Sequence, residues 1–336
     1  MYARSADFPA PRDARRRRGL AEPLTTVILL ALMVFQIDSK PQSPASVSGG
    51  DSQSSRPFQI SVNLDLVTLP VTVRDKQGAF VSDLGEQDFE ISEDGVRQAI
   101  RLFRREDVPV TVGLVVDHSG SMRQKLPDVM TAAESFVQSS NKDDQMFVVN
   151  FNEHVSLGLP PAIRFTNRAD QLGSAILRVP AAGQTALYDA VALALDRLRA
   201  GERDKKVLIV ISDGGDNASA LGFSGVLKKA EESNVLIYTV GIFDDDDPDR
   251  NPAVLRRLAR VTGGEAYFPG QPNDVAEICR RIAIEIRNQY VLGYVSANTA
   301  KPGTYRAVQV VARAPGRTKL TARTRSGYIA GSEVTQ

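Results

Sequence analysis

The sequence predicts an α/β protein in which a doubly wound, mostly parallel sheet stands beside a small β-sandwich. Residues 106–289 alternate short apolar runs with amphipathic stretches, and this alternation is typical of a parallel sheet covered by helices on both faces. Residues 57–105 and 290–330 show strand patterns instead. Because neither flanking segment is long enough to bury a core well, we expect them to form one β-domain with the α/β domain, residues 106–289, inserted between them.

The period of the apolar residues divides the central region into strands and helices. The predicted strands are Val108–Val116, Met146–Phe151, Val207–Ile211, Val235–Val240 and Ala266–Phe268. The predicted helices are Pro127–Ser139, Ala169–Val179, Ala186–Ala200, Ser224–Ser233, Ala253–Thr262 and Asp274–Asn288.

The flanking segments carry shorter strand patterns with alternating apolar and polar residues. Before the central region the predicted strands are Ile60–Val67, Leu69–Val73, Phe89–Ser92 and Val96–Phe103, and residues 75–78 suit a hairpin turn. After the central region they are Tyr290–Val295, Tyr305–Val311 and Lys319–Thr324.

The first 36 residues differ in composition from the rest of the chain. Arg12 and Arg15–Arg18 form a basic cluster, and Leu24–Phe35 is an apolar run of about twelve residues, the length of a signal-peptide core and short for a bilayer span. This order predicts export to the periplasm, cell envelope or exterior. Cleavage of the segment and its retention as an inner-membrane anchor both stay open. Residues 37–56, rich in Ser, Gln, Gly and Pro, predict a flexible linker.

The overall composition argues against one class of partner. The chain is 42% hydrophobic and 24% charged, with a net charge of +1, which is ordinary for a soluble globular protein. Nucleic-acid binding needs a basic surface, so we expect no nucleic-acid partner. The single cysteine, Cys279, rules out an intramolecular disulfide, and we expect it to be buried.

Polar side chains with hard oxygen atoms follow two of the predicted strands and precede one helix. Asp117, Ser119 and Ser121 come directly after the first strand of the central region, Thr185 precedes a helix, and Asp213 follows the strand that ends at Ile211. Ligands of open α/β sheets bind at the carboxyl ends of the strands, and oxygen ligands suit Mg²⁺. Residues 117–121 alone would also fit a polar turn with side-chain caps, but the other two loops favour a metal site.

These five residues resemble the metal-ion-dependent adhesion site of von Willebrand factor type A domains. The pattern of that family is Asp-x-Ser-x-Ser, then a Thr, then an Asp, and no member of it is missing here. The resemblance implies that Ser119, Ser121 and Thr185 coordinate the ion through hydroxyls. It also implies that Asp117 and Asp213 bind the ion directly or through water, and that a carboxylate of a partner protein takes the sixth position.

Within that family, the chain resembles a bacterial group of VWFA-related proteins first recognised in acidobacteria. The resemblance covers roughly residues 60–330 and rests on the segments Asp88-Phe89-Glu90, Glu93-Asp94-Gly95, Gly183-Gln184-Thr185-Ala186-Leu187-Tyr188-Asp189-Ala190, Ser212-Asp213-Gly214-Gly215-Asp216-Asn217 and Gln289-Tyr290-Val291-Leu292-Gly293-Tyr294. This resemblance indicates the domain architecture better than the function, because the biological role of the group is poorly defined.

The sequence therefore predicts an exported, non-enzymatic binding module that holds Mg²⁺, or Mn²⁺ or Ca²⁺, and captures an Asp or Glu of another protein. The alternative is a metal-assisted hydrolase that uses an ion-bound water. Such chemistry needs a positioned proton acceptor, and no histidine ligand or evident general base accompanies the motif.

Four further polar features have a structural interpretation as well as a functional one. The acidic run Asp244–Asp247 could hold a second cation, but we expect a solvated loop. Asp189 and Asp216 could orient water or ligands of the ion, and Asp189 could instead be a favourable charge in the first turn of a helix. We expect His118 to point away from the metal and to be exposed.

Overall fold

The computed structural model describes residues 66–105, 107–243, 250–271, 274–298 and 303–331. The strands of these residues are β1 (Leu66–Arg74), β2 (Phe89–Glu93), β3 (Val96–Gln98), β4 (Ile100–Arg104), β5 (Val110–Asp117), β6 (Gln145–Phe151), β7 (Val155–Leu157), β8 (Lys205–Ser212), β9 (Val235–Gly241), β10 (Ala266–Tyr267), β11 (Tyr290–Val295), β12 (Tyr305–Ala312), β13 (Thr321–Arg323) and β14 (Gly327–Ile329). The α-helices are α1 (Leu126–Ser139), α2 (Ala169–Ile176), α3 (Leu187–Arg199), α4 (Phe223–Glu232), α5 (Pro252–Thr262) and α6 (Asp274–Arg287).

Six strands form the central sheet in the order β10-β9-β8-β5-β6-β7. Neighbouring strands run parallel except for β7, which pairs antiparallel with β6. Every residue of β5 is buried, and successive residues of a strand point to opposite faces. Both faces of the sheet are therefore covered, as the uninterrupted apolar runs predict. The predicted fold class, a doubly wound α/β sheet, is confirmed.

The order in which the chain adds strands to this sheet reverses at the central strand, β5. The chain passes from β5 to β6 on one side and later returns to β8 on the other side of β5. Val116 of β5 pairs with Ile211 of β8, so the two strands end side by side. The loops that follow them diverge, and ligands of open α/β sheets bind in the crevice between such loops.

The remaining strands form two antiparallel sheets, ordered β13-β1-β11-β4 and β14-β12-β2-β3. The segment before the α/β domain and the segment after it contribute to both sheets: β1 pairs with β11, and β2 pairs with β12. Their inner faces share one apolar cluster that includes Leu69, Ile91, Tyr290 and Val310. The two segments thus build one sandwich, while the exact domain boundaries stay predictions.

Several residues of the recognised segments have a structural role in this sandwich. Tyr290 is fully buried, and its hydroxyl accepts from the Leu84 amide at 2.9 Å and donates to the Val81 carbonyl at 3.0 Å. The tight turn between β2 and β3 needs positive φ angles, and Asp94 and Gly95 supply them, with φ of 48° and 81°.

The structure corrects one predicted strand and adds another. Val96–Phe103 is not continuous, because Gln98 pairs with Ile91 in one sheet whereas Ile100 pairs with Tyr294 in the other. The chain changes sheets at Ala99. The edge strand β7 was not predicted, since three residues are too few to show a period.

Three sequence-based predictions lie outside the described residues: the export segment Arg12–Phe35, the linker 37–56 and the acidic run Asp244–Asp247. Of the predicted strand Ile60–Val67, only residues 66 and 67 are described, and they belong to β1. Within the described ranges, no helix combines the length and the apolar character that a membrane span requires.

Candidate metal centre

Asp117 is the last residue of β5 and lies at the floor of the candidate metal centre. Its carboxylate is fully buried. One oxygen accepts from the Ser119 amide at 2.8 Å, and the other accepts from the Ser212 hydroxyl at 2.6 Å. Burial, and secondly the negative charge of Asp213, raise the pKa of Asp117 to about 7, although these hydrogen bonds oppose the rise.

Ser121 joins the first loop to the loop after β8. Its hydroxyl lies 3.1 Å from the Ser119 hydroxyl and donates to Asp213 Oδ2 at 2.6 Å. The other oxygen of Asp213 accepts from the Gly215 amide at 3.0 Å. The Ser121 hydroxyl therefore lies within hydrogen-bonding distance of side-chain oxygens of both Ser119 and Asp213 at the carboxyl edge of the sheet.

Thr185 belongs to a third loop, which touches both of the others. On one side, the Gly120 amide donates to the Gly183 carbonyl at 3.3 Å. On the other side, the Thr185 amide donates to Asn217 Oδ1 at 2.9 Å, and the Thr185 carbonyl accepts from the amide of Asn217 at 2.9 Å. The predicted residues Asp117, Ser119, Ser121, Thr185 and Asp213 thus lie on three loops that are hydrogen-bonded together.

This donor set fits a small hard cation. It offers two carboxylates and three hydroxyls, which are the oxygen ligands that Mg²⁺ prefers. Two buried carboxylates in one site repel each other, and burial, followed by the negative charge of Asp213, raises the pKa of Asp117. No lysine, arginine or histidine among the described residues forms an ion pair with Asp117. The described part of the chain has no cluster of three or more His, Cys, Asp or Glu side chains suited to a metal. A site that relies on hydroxyls does not need one.

Two residues that position the predicted ligands were not singled out from the sequence. Ser212 fixes one oxygen of Asp117, and Asn217 fixes the backbone of Thr185. Their position in the segment 212–217, close to Asp213, could have identified them from the sequence, because a hydroxyl or an amide next to a metal ligand is suited to orient it.

His118 is not exposed, contrary to the sequence-based expectation. It is fully buried, and its Nε2 lies 3.1 Å from Asn150 Oδ1. Asn150 in turn donates to the Ala175 carbonyl at 2.7 Å. His118 follows the buried end of β5, so its side chain points into the protein beneath the loop. Burial lowers the pKa of His118, which favours the neutral ring.

Asp189 and Asp216 fasten the loop after β8 to the start of α3. The carboxylate of Asp189 accepts from the amides of Ala220 and Leu221 at 2.8 and 3.0 Å. Asp216 accepts from the Tyr188 amide at 3.1 Å. Both carboxylates therefore shape the loops that carry the candidate ligands.

Comparison with known proteins identifies the family. The profile of the von Willebrand factor type A domain matches residues 111–281. An uncharacterized protein of Synechocystis sp. strain PCC 6803 is 25% identical over 187 residues, which are 54% of this chain and 42% of that protein. The chain therefore spans less than half the length of this curated relative.

Several solved structures are also similar to this chain, at lower identity. A von Willebrand factor type A protein from Catenulispora acidiphila is 16% identical, with a TM-score of 0.49 and coverage of 72% of this chain and 73% of that one. The proximal thread matrix protein 1 of the mussel byssus, solved with a zinc-occupied MIDAS motif, is 17% identical, with a TM-score of 0.45 and coverage of 54% and 48%. The profile match covers half of the chain, and the chain belongs to the von Willebrand factor type A domain family.

Proposed function

We propose that this chain is a metal-dependent protein-binding module without enzymatic activity. Asp117, Ser119, Ser121, Thr185 and Asp213 hold Mg²⁺, and the ion captures an Asp or Glu side chain of another protein. The observation that carries the proposal is the position of the Ser121 hydroxyl, which lies 3.1 Å from the Ser119 hydroxyl and 2.6 Å from Asp213 Oδ2.

The balance of charged and neutral ligands favours an acidic partner. When bound, the ion supplies a concentrated positive charge at the edge of the sheet. Three of its five protein ligands are uncharged hydroxyls, so two carboxylates do not satisfy its preference for anionic oxygen. A partner carboxylate forms a strong, charge-assisted contact there because the surroundings are partly dry.

The groups near the site suit binding better than hydrolysis. His118 and His154 are the two histidines of the chain. His118 is buried against Asn150, and the side chain of His154 is 86% exposed beside Glu153. Backbone hydrogen bonds, chiefly its own and then that from Gln184, lower the pKa of Glu153, which makes it a weak base.

We extend the proposal to an exported protein. The support is the basic cluster Arg15–Arg18 followed by the apolar run Leu24–Phe35, an order that directs export. A reporter enzyme fused after Arg56 tests this. Activity outside the cytoplasm is expected, and activity confined to the cytoplasm would overturn the export proposal.

The binding proposal is tested with synthetic peptides. A glycine peptide that contains one glutamate should bind in Mg²⁺ and be released by EDTA. The same peptide with glutamine in place of glutamate removes only the charge and should not bind. Equal binding of the two peptides, or binding that survives EDTA, would show that the proposed function is wrong.

A further inference from the structure

A cleft opens directly beside the first ligand loop. It has a volume of about 530 Å³, and its lining includes Ser121, Arg123, Lys125, Phe243, Pro269 and Gln271. Three segments form it: the loop between β5 and α1, the end of β9, and the loop between β10 and α6. Because Ser121 is both a candidate ligand and part of the lining, a chain bound at the metal would extend into this cleft.

The described lining is positively charged. It contains Arg123 and Lys125 and no aspartate or glutamate. Lys125 is buried, and its ammonium donates to the Ile242 carbonyl at 3.2 Å, which ties α1 to the end of β9. Arg123 is exposed. Its Nε donates to the Ala181 carbonyl at 3.2 Å, and it forms no ion pair with a described residue.

The arrangement of Arg123 leaves part of its guanidinium available. The bond to Ala181 uses one of the five N–H donors of an arginine. The same bond orients the side chain, so less entropy is lost when a second group binds. A planar guanidinium with free donors at the wall of a cleft is suited to a carboxylate, which it binds with two parallel hydrogen bonds.

Another part of the lining is the aromatic ring of Phe243. Phe243 stacks on Phe268 with ring centroids 5.4 Å apart and an interplanar angle of 22°. The guanidinium carbon of Arg256 lies 4.5 Å from the centre of the Phe268 ring. The cleft thus offers a supported aromatic ring against which a peptide can pack, and the Arg123 guanidinium as a group that selects its side chains.

We infer that this cleft binds the partner chain next to its metal-bound residue, and that Arg123 selects a second acidic side chain there. The inference rests on the proposed function, since it takes the metal-bound carboxylate as its reference point. It identifies the partner as an extended acidic segment with two carboxylates close together in sequence.

The spacing of the two carboxylates follows from the chain geometry. Arg123 lies two residues beyond Ser121. Because consecutive Cα atoms are about 3.8 Å apart, the Cα atoms of these two residues are at most about 7.6 Å apart. An extended partner advances about 3.3 Å per residue. A second acidic residue two positions from the first therefore comes within reach of the long arginine side chain.

The test compares three glycine peptides in saturating Mg²⁺: one with a single glutamate, one with two glutamates separated by one glycine, and one with a glutamate and a lysine at the same spacing. Two equivalent glutamates alone give the second peptide at most about a twofold statistical advantage in affinity. With an arginine contact the wild type should prefer it by clearly more than twofold and by up to about tenfold, because an exposed ion pair adds at most about fivefold to the statistical factor, and the preference should shrink as salt is added.

The variants separate charge recognition from a merely structural role. In Arg123→Gln the preference should fall to the statistical value. In Arg123→Glu it should reverse, so that the glutamate–lysine peptide binds better than the peptide with two glutamates, an outcome that a misfolded variant cannot give. Arg199→Gln is the matched control, because it removes the same charge from the end of α3 and should keep the wild-type preference.

Three results would overturn the inference. These are a wild-type preference no greater than the statistical value, an unchanged preference in Arg123→Gln, and an equal loss in Arg199→Gln. In each of them the single-glutamate peptide still shows Mg²⁺-dependent binding, so the proposed function stands. If neither acidic peptide shows Mg²⁺-dependent binding, the proposed function fails and the inference fails with it.

Discussion

Asn217 determines where the backbone of Thr185 lies, because it accepts from the Thr185 amide at 2.9 Å and its own amide donates back to the Thr185 carbonyl. We expect Asn217→Ala to weaken Mg²⁺ binding by about tenfold, the typical effect of a residue that orients a ligand. Calorimetric titration measures the change.

A double-mutant cycle separates this positioning role from a general loss of stability. In a Thr185→Ala background the hydroxyl is absent, so Asn217→Ala should then cost little further Mg²⁺ affinity. Asn167→Ala also removes an asparagine side chain that bonds the backbone, in this case by donating to the Lys142 carbonyl at 2.7 Å, and should leave Mg²⁺ affinity as it is. Equal losses in both backgrounds would show that Asn217 does not act through Thr185.

Lys205, at the start of β8, gives the fold a pH dependence at alkaline pH. Burial lowers its pKa from 10.5 to about 8, and the nearby carboxylates offset only part of that effect. Below pH 8 the folded protein bears the full cost of a buried charge. Between pH 8 and 10.5 the unfolded chain binds more protons than the folded one, so stability rises with pH.

We therefore expect the wild type to gain stability relative to Lys205→Met over this window, by up to about 1.4 kcal/mol per pH unit. Urea unfolding at a series of pH values measures it. The control Lys228→Met removes a lysine whose side chain is 74% exposed and should differ from the wild type by a constant amount. A constant difference for Lys205→Met as well would contradict the account.

The candidate ligands can be proposed from the sequence because a polar side chain at the end of an apolar run has few structural reasons to be there. Their role as ligands stays a prediction. The residues that hold them are harder to predict. Asn217 acts on a residue 32 positions away, and only the fold brings the two together. His118 looks exposed in a polar loop, yet the end of β5 directs it inward to Asn150.

At the scale of elements, α6 is joined to the sandwich by one buried carboxylate. The side chain of Glu285 is fully buried. Its oxygens accept from Thr72 Oγ1 at 3.1 Å, from Arg74 Nη2 at 2.7 Å, and from Arg323 Nη2. The Tyr238 hydroxyl of β9 donates to it at 2.9 Å. One side chain thus connects the helix and the parallel sheet to β1 and β13.

Glu285→Gln should destabilise the protein by about 3 kcal/mol, because Arg74 and Arg323 lose their fully buried carboxylate partner and keep only the partly exposed Glu265. Chemical denaturation measures the loss. Glu277→Gln is the matched control on the same helix, since Glu277 pairs with Arg280 on the surface and its side chain is 62% exposed. If both variants lowered the free energy of unfolding by the same small amount, Glu285 would not be the connection between α6 and the sandwich.

Strands could be predicted from the sequence where their apolar runs are long, as in β5, β8 and β9. The shorter strands of the sandwich were harder to predict. The stretch from Val96 to Phe103 is one strand by its pattern, but Gln98 pairs with Ile91 in one sheet and Ile100 pairs with Tyr294 in the other. The second pairing depends on β11, which lies far along the chain, and local alternation does not reveal it.

At the scale of the whole molecule, the sandwich cannot be completed before the α/β domain has been made. β1 needs β11, and β2 needs β12. Truncation after Asn288 removes these partners. We therefore expect residues 66–104 to lose protection in hydrogen exchange, while β5 and β8 keep theirs. Retained protection of residues 66–104 would mean that the first segment folds alone.

The central claim is that three loops at the switch point of the parallel sheet form a cation site. The most direct test is calorimetric titration of Mg²⁺ into the protein and into Asp117→Ala, with Asp170→Ala as a control carboxylate that is 65% exposed at the start of α2 and pairs with Arg168. Saturable binding should occur at one site, disappear in Asp117→Ala and persist in Asp170→Ala. Equal Mg²⁺ affinity in the wild type and Asp117→Ala would contradict the claim.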